Sequence, residues 1–163
     1  MDIKHVRDEL IQEFEALDFV DKVWTPLPWT EGGSTNDREL LAQLRKSDGS
    51  IEFWALTIGS VQFGTNSQDV PSSGALQRFD VDLVFVKSAG PQWEDAFLET
   101  VDKMLIYLGS HMEMVSRSGA MFVQRLSPSV KMDITSELGF GHLVRIARFR
   151  FQLLVGEIVH FVP

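Results

Sequence analysis

"QRFDVDLVFVK" occupies residues 77–87 and "QWEDAFLETVDKMLIYLGSH" residues 92–111, with "SAGP" between them. In the first stretch Phe79, Val81, Leu83 and Phe85 share one parity, while Asp80 and Asp82 take the other. That alternation predicts a strand with one buried face and one partly wet face. In the second stretch Trp93, Phe97, Val101, Leu105 and Leu108 recur at helical spacing, with Glu94, Asp95, Glu99, Asp102 and Lys103 between them. That spacing predicts an amphipathic helix of about five turns. A strand feeding a long helix that lies back on a sheet sets the architecture. Neither segment carries an evident reactive group.

Working outward, residues 2–17 predict an amphipathic helix with Ile3, Val6, Leu10, Phe14 and Leu17 on its apolar stripe and Asp8, Glu9, Glu13 and Glu15 mostly off it. "FVDKVWT" (19–25) predicts a short strand, and the proline- and glycine-rich "PLPWTEGGSTN" (26–36) a loop. "DRELLAQLRKSDGS" (37–50) predicts a short helix capped by Asn36 or Asp37 and ended by a turn at Asp48–Gly49, although its pattern also tolerates a hairpin. "IEFWALTIGSVQFGT" (51–65) is apolar at both parities and predicts a central strand. The polar "GTNSQDVPSSGA" (64–75) predicts a long hairpin tip.

Beyond the long helix, "MVSRSGAMFVQRLSPSVKMDI" (114–134) offers two short strands split at Ser127–Pro128, and "SELGFG" (136–141) a turn. "HLVRIARFRFQLLVGEIVHFV" (142–162) predicts a long strand. Leu143, Arg145, Ala147, Phe149, Phe151, Leu153 and Val155 lie on one of its faces, with Arg148 and Arg150 on the other. No internal repeat or linker divides the 163 residues, which leads us to expect one domain. The fold class expected is α+β: a mostly antiparallel sheet with helices packed on one side.

Composition narrows the function classes. At 44% apolar residues the chain can bury a real core. No run approaches the roughly 18–20 apolar residues of a membrane helix, and the first residues lack a signal-peptide core. Cysteine is absent, which excludes disulfides and thiolate metal sites. The net charge of −8 disfavours generic binding to a nucleic-acid backbone. It is also uneven: residues 1–37 carry nine acids against three bases, and residues 117–163 six bases against three acids. Opposite ends of this kind favour head-to-tail self-association, or pairing of the two ends within one subunit.

The candidate chemistry is sparse. The histidines at 5, 111, 142 and 160 show no metal-ligand spacing, and no metal or other cofactor is expected. The glycine-bearing stretches match no phosphate loop, and no serine sits in a nucleophile elbow. Asp80 and Asp82, two apart on one strand face, have the disposition for metal binding or acid–base work. A half-exposed strand also places carboxylates there simply to meet arginines across the sheet, and Arg148 and Arg150 are the natural partners. Trp29, between prolines and polar residues, is a candidate interface anchor.

The order of these elements resembles a known family. It comprises an N-terminal amphipathic helix, a short strand, a proline-rich loop, a sheet with a long tip like "GTNSQDVPSSGA", a strand like "RFDVDLVFV" before a helix like "PQWEDAFLETVDKMLIYL", and a basic, aromatic last strand like "HLVRIARFRFQLLV". In that order the chain is similar to the tail terminator and tail completion proteins of long-tailed phages, of the lambda tail-terminator and tail-to-head joining kinds. The resemblance implies a structural virion protein without catalytic residues. Such a protein forms a hexameric ring that caps the tail tube, stops its polymerisation and meets the head connector. It also implies assembly in the host cytoplasm and no sequence-specific nucleic acid or membrane partner. On this reading Trp29, Asp80, Asp82, Arg148 and Arg150 are interface candidates. The alternatives are another neck, connector or baseplate component, a small hydrolase using Asp80 and Asp82, or a cytosolic adaptor that binds peptides at a sheet edge.

Overall fold

The computed structural model describes residues 3–25, 37–63, 77–110, 113–115, 121–125, 130–139 and 141–157. In chain order these form α1 (Ile3–Glu15), β1 (Val23–Trp24), α2 (Asp37–Leu44), β2 (Glu52–Phe63), β3 (Gln77–Ser88), α3 (Pro91–Ser110), β4 (Glu113–Val115), β5 (Met121–Arg125), β6 (Lys131–Gly139) and β7 (His142–Glu157). The strands make one sheet in the order β1-β2-β3-β7-β5-β4, and β6 pairs with the part of β7 that β5 leaves free. Every pairing is antiparallel except β1 with β2. The α+β class with a mostly antiparallel sheet, expected from the sequence, is the one observed.

The period-2 pattern of β3 explains its place. Phe79, Val81, Leu83 and Phe85 are buried against the helices, in one cluster with Phe149, Phe151, Leu153 and Val155 of β7, Val6, Leu10 and Phe14 of α1, and Phe97, Val101, Met104 and Leu108 of α3. An aromatic column runs through this layer. Trp54 stacks on Phe85 with ring centres 4.6 Å apart, Phe85 stacks on Phe97 at 5.6 Å, and Trp54 lies 6.2 Å from Phe149. Each such pair contributes about 0.5–1.5 kcal/mol beyond the area it buries. In α3 the buried stripe uses Met104 where Leu105 was expected; Leu105 is half-buried at its margin. Glu9, read from the sequence as off the stripe of α1, is buried.

The two long helices, α1 and α3, share one side of the sheet. The short α2 belongs to a second cluster on the other side: its Leu44, with Leu40 and Leu41, packs with Ile51, Phe53, Ala55, Val84, Val86, Val144 and Ile146. This is why β2 is apolar at both parities: Trp54 and Leu56 face α1 and α3, while Phe53 and Ala55 face α2. β2 is the second strand in the order, flanked on its outer side by the two residues of β1. The position of β1 is set by the Val23 N–H, which donates to Glu15 Oε1 at 2.9 Å. The strand expected over 19–25 is therefore only Val23–Trp24; Val20 instead closes a turn by donating its N–H to the Leu17 carbonyl at 3.1 Å.

Of the two sequence alternatives for residues 37–50 the short helix is the one observed, ended by the expected turn at Asp48–Gly49. Asp37–Leu44 is helical, and an antiparallel bridge from Arg45 to Ile51 then closes a small hairpin at Gly49, whose φ of 82° suits glycine. A buried cation fastens this hairpin to β3. Lys87 Nζ donates to Ser50 Oγ at 3.2 Å and to Glu52 Oε1 at 3.3 Å, and lies 3.6 Å from Asp48 Oδ2. The Asp48 carboxyl is held below its ordinary range mainly by the side-chain and backbone hydrogen bonds from Ser50, and to a lesser degree by Lys87.

One expectation is corrected. "SELGFG" is not simply a turn: Ser136 to Gly139 extend β6, and Gly139 pairs with His142. Gly141, with φ 76°, adopts the left-handed backbone that suits glycine. The segments at 26–36, 64–75 and 126–129, including Trp29, Asn36 and the Ser127–Pro128 break, lie outside the described residues.

Candidate functional site

α2 covers only one end of the second sheet face. Toward the other end the same parity turns from apolar to charged: Val84 and Val86 give way to Asp82, Asp80 and Arg78 on β3, and Val144 and Ile146 give way to Arg148, Arg150 and Gln152 on β7. β6 adds Lys131 opposite Arg150 and Asp133 opposite Arg148. Antiparallel register thus assembles one charged field from three strands that are distant in the sequence. A β-bulge between Ile58 and Ser60 of β2 lies beside it. A shallow depression of about 500 Å³ opens there, lined by Gly59, Asp80, Asp82, Lys131, Arg150 and Gln152.

The sequence-predicted residues come together as follows. Asp82 Oδ2 lies 3.6 Å from Arg148 Nη1, a diagonal contact, since Asp82 is in register with Arg150. Asp80, expected to meet an arginine, accepts a hydrogen bond of 2.8 Å from Gln152 Nε2, its register partner. Arg150 leans away from β3 toward Asp133 Oδ2, at 3.9 Å. The four predicted charges therefore share one face, and Asp82 with Arg148 forms a carboxylate–arginine pair of the expected kind. Asp82 Oδ1 is enclosed and accepts no hydrogen bond. The remaining candidate, Trp29, lies outside the described residues.

Sequence reading missed Lys131 and Asp133. Their segment read as a short strand candidate, but their face depends on the β6–β7 register, which the folded sheet sets. It also grouped Arg145 with the Phe149 parity without giving it a role. On that helix-facing side Arg145 donates to Glu94 Oε1 in the first turn of α3 at 3.0 Å, and its guanidinium sits 5.6 Å from the centre of the Phe97 ring.

The layering of charge on the open face matters for what it can do. Asp80, Asp82 and Asp133 are half-buried, whereas Arg78, Lys131 and Arg150 are exposed. Arg78, Lys131 and Arg150 therefore present cations to solvent in a chain whose net charge is −8, beside Asp133, whose side chain is about as exposed as that of Arg150 (47% and 49%). Chemically the field offers salt-dependent attraction for an acidic surface. Among the described residues no group of three or more His, Asp or Glu side chains is placed to hold a metal ion, and no helix is long and apolar enough to cross a membrane. No protein-family model matches the chain, and no curated protein matches it significantly.

Proposed function

We propose that this chain is a structural virion protein, a tail terminator-like subunit that acts as a hexameric ring at the end of the phage tail tube, stops tube polymerisation and joins tail to head. The order of elements quoted from the sequence supports the family reading. The observation that carries the assembly reading is the inequality of the two sides of the sheet. One side is covered by α1 and α3 and exposes Asp95, Glu99 and Asp102; the other is partly open and exposes Arg78, Lys131 and Arg150. Unlike faces on one subunit make head-to-tail contacts, and these close into rings when the rotation between copies allows.

The protein works without catalytic residues or cofactor on this reading. Its partners are further copies of itself, the tail tube protein and the head connector, and its site of action is the tail or neck of the virion after assembly in the host cytoplasm. Light scattering with negative-stain imaging, on the free protein and on protein mixed with tail tubes, tests the proposal. Sixfold rings in solution or on tube ends are expected. A strict monomer that neither forms rings nor binds tubes refutes it. Capture of connector or baseplate proteins without tubes reassigns the subunit to another part of the tail.

A further inference from the structure

We infer that the outward stripe of α3 in one copy docks on the cation-bearing open sheet face of the next copy. The inference rests on the ring reading and names the surfaces that make its contacts. On α3, residues 95, 98, 99, 102 and 106 follow one another at helical spacing on the side away from the core stripe of Phe97, Val101, Met104 and Leu108. All five are exposed: Asp95, Glu99 and Asp102 supply three carboxylates, and Leu98 and Ile106 supply apolar surface, Ile106 at 68% exposure. Among the described residues no element packs on this helix face, whose two large exposed hydrophobics lie among like charges on the side away from the core.

The complementary surface lies on the opposite side of the sheet. Arg78, Lys131 and Arg150 are exposed on it, Asp80 and Asp82 are half-buried between them, and Asp133 and the more distant Glu137 are the acids that reach solvent on β6. The depression beside Gly59 gives a hydrophobic side chain such as Ile106 a place to enter. The stripe and the face are separated by the sheet itself, so one subunit cannot satisfy both. A second copy can, and the contact is heterologous, which propagates around a ring. Salt weakens such a contact and like charge opposes it.

The absence of native cysteine allows a clean test. Asp102→Cys and Arg150→Cys are made singly and together, and a short bifunctional maleimide is added to free protein and to protein on tail tubes. The double variant is expected to give a ladder of covalent multimers, and each single variant at most background dimer. In parallel, Arg150→Glu is expected to raise the concentration needed for assembly about tenfold, and adding Asp102→Lys to it to restore assembly. Rings that form while the double variant crosslinks no better than the single ones overturn this docking and leave the ring reading standing. A dimer from either single variant as abundant as the ladder shows a symmetric contact and overturns it too. If neither rings nor tube binding occur, the ring reading itself fails. Retention of duplex DNA that Arg150→Glu abolishes, with assembly unchanged, assigns the face to nucleic acid and also overturns the inference.

Discussion

Replacing Lys87 with methionine is expected to change stability by no more than about 1 kcal/mol, whereas Asp48→Asn with Glu52→Gln is expected to cost about 3 kcal/mol. Both perturbations abolish the attraction between Lys87 and the two carboxylates, and the main difference comes from what each leaves behind. Lys87 has a side chain only 5% exposed, while those of Asp48 and Glu52 are 48% and 27% exposed. At 3.3 and 3.6 Å the two pairs attract, but water reaching both carboxylates screens the sum to a few kcal/mol. Burying the ammonium costs several kcal/mol in the opposite direction. Methionine removes both terms and fills similar volume, leaving two carboxylates that water can reach. Neutralising the acids removes only the attraction and strands a buried charge, at the low end of the 3–5 kcal/mol range because the site is solvated from the carboxylate side.

Urea titration followed by tryptophan fluorescence gives both numbers, and thermal melting should show the double variant about 6–12 °C lower. If Lys87→Met loses as much as the double variant, the cation contributes net stability and the desolvation argument is wrong.

Further outcomes follow from the same geometry. Asp48, depressed in the folded state, contributes stability that is fully present above its ordinary value of 3.8 and is lost as pH falls through the lower folded value. Ser50→Ala, which removes the largest cause of that depression, should flatten acid unfolding monitored by circular dichroism below about pH 4. Trp54→Ala, in the aromatic column, should cost about 3–5 kcal/mol in urea titrations. A loss under about 1 kcal/mol would mean that the stacking with Phe85 and Phe149 is not formed. A double-mutant cycle on Asp82 and Arg148 should give a coupling of about 0.5–1 kcal/mol that halves in high salt; a coupling indifferent to salt would place the pair in a drier setting than its partial exposure indicates.

The class of fold was legible because the relevant signals are local. Period 2 at Phe79 to Phe85 and period 3.6 from Trp93 to Leu108 are imposed by strand and helix geometry alone, whatever packs against them. The two-sided apolar pattern of β2 likewise announced a strand buried on both faces, without saying that α2 rather than a long helix covers the second one. The same locality misled at "SELGFG", where glycines signalled a turn but β7 offered Ser136 to Gly139 a ladder of hydrogen bonds.

The sequence by itself determined that Asp80, Asp82, Arg148 and Arg150 lie on the solvent-side parity of their strands, since alternation is a property of each strand alone. Only the tertiary structure decided their partners. Register places Gln152 against Asp80, a diagonal brings Arg148 to Asp82, and Arg150 turns to Asp133 on a strand that the sequence could not align with it. Pairing between strands some seventy residues apart depends on which core packs beneath them, and that core is a collective property of the folded chain.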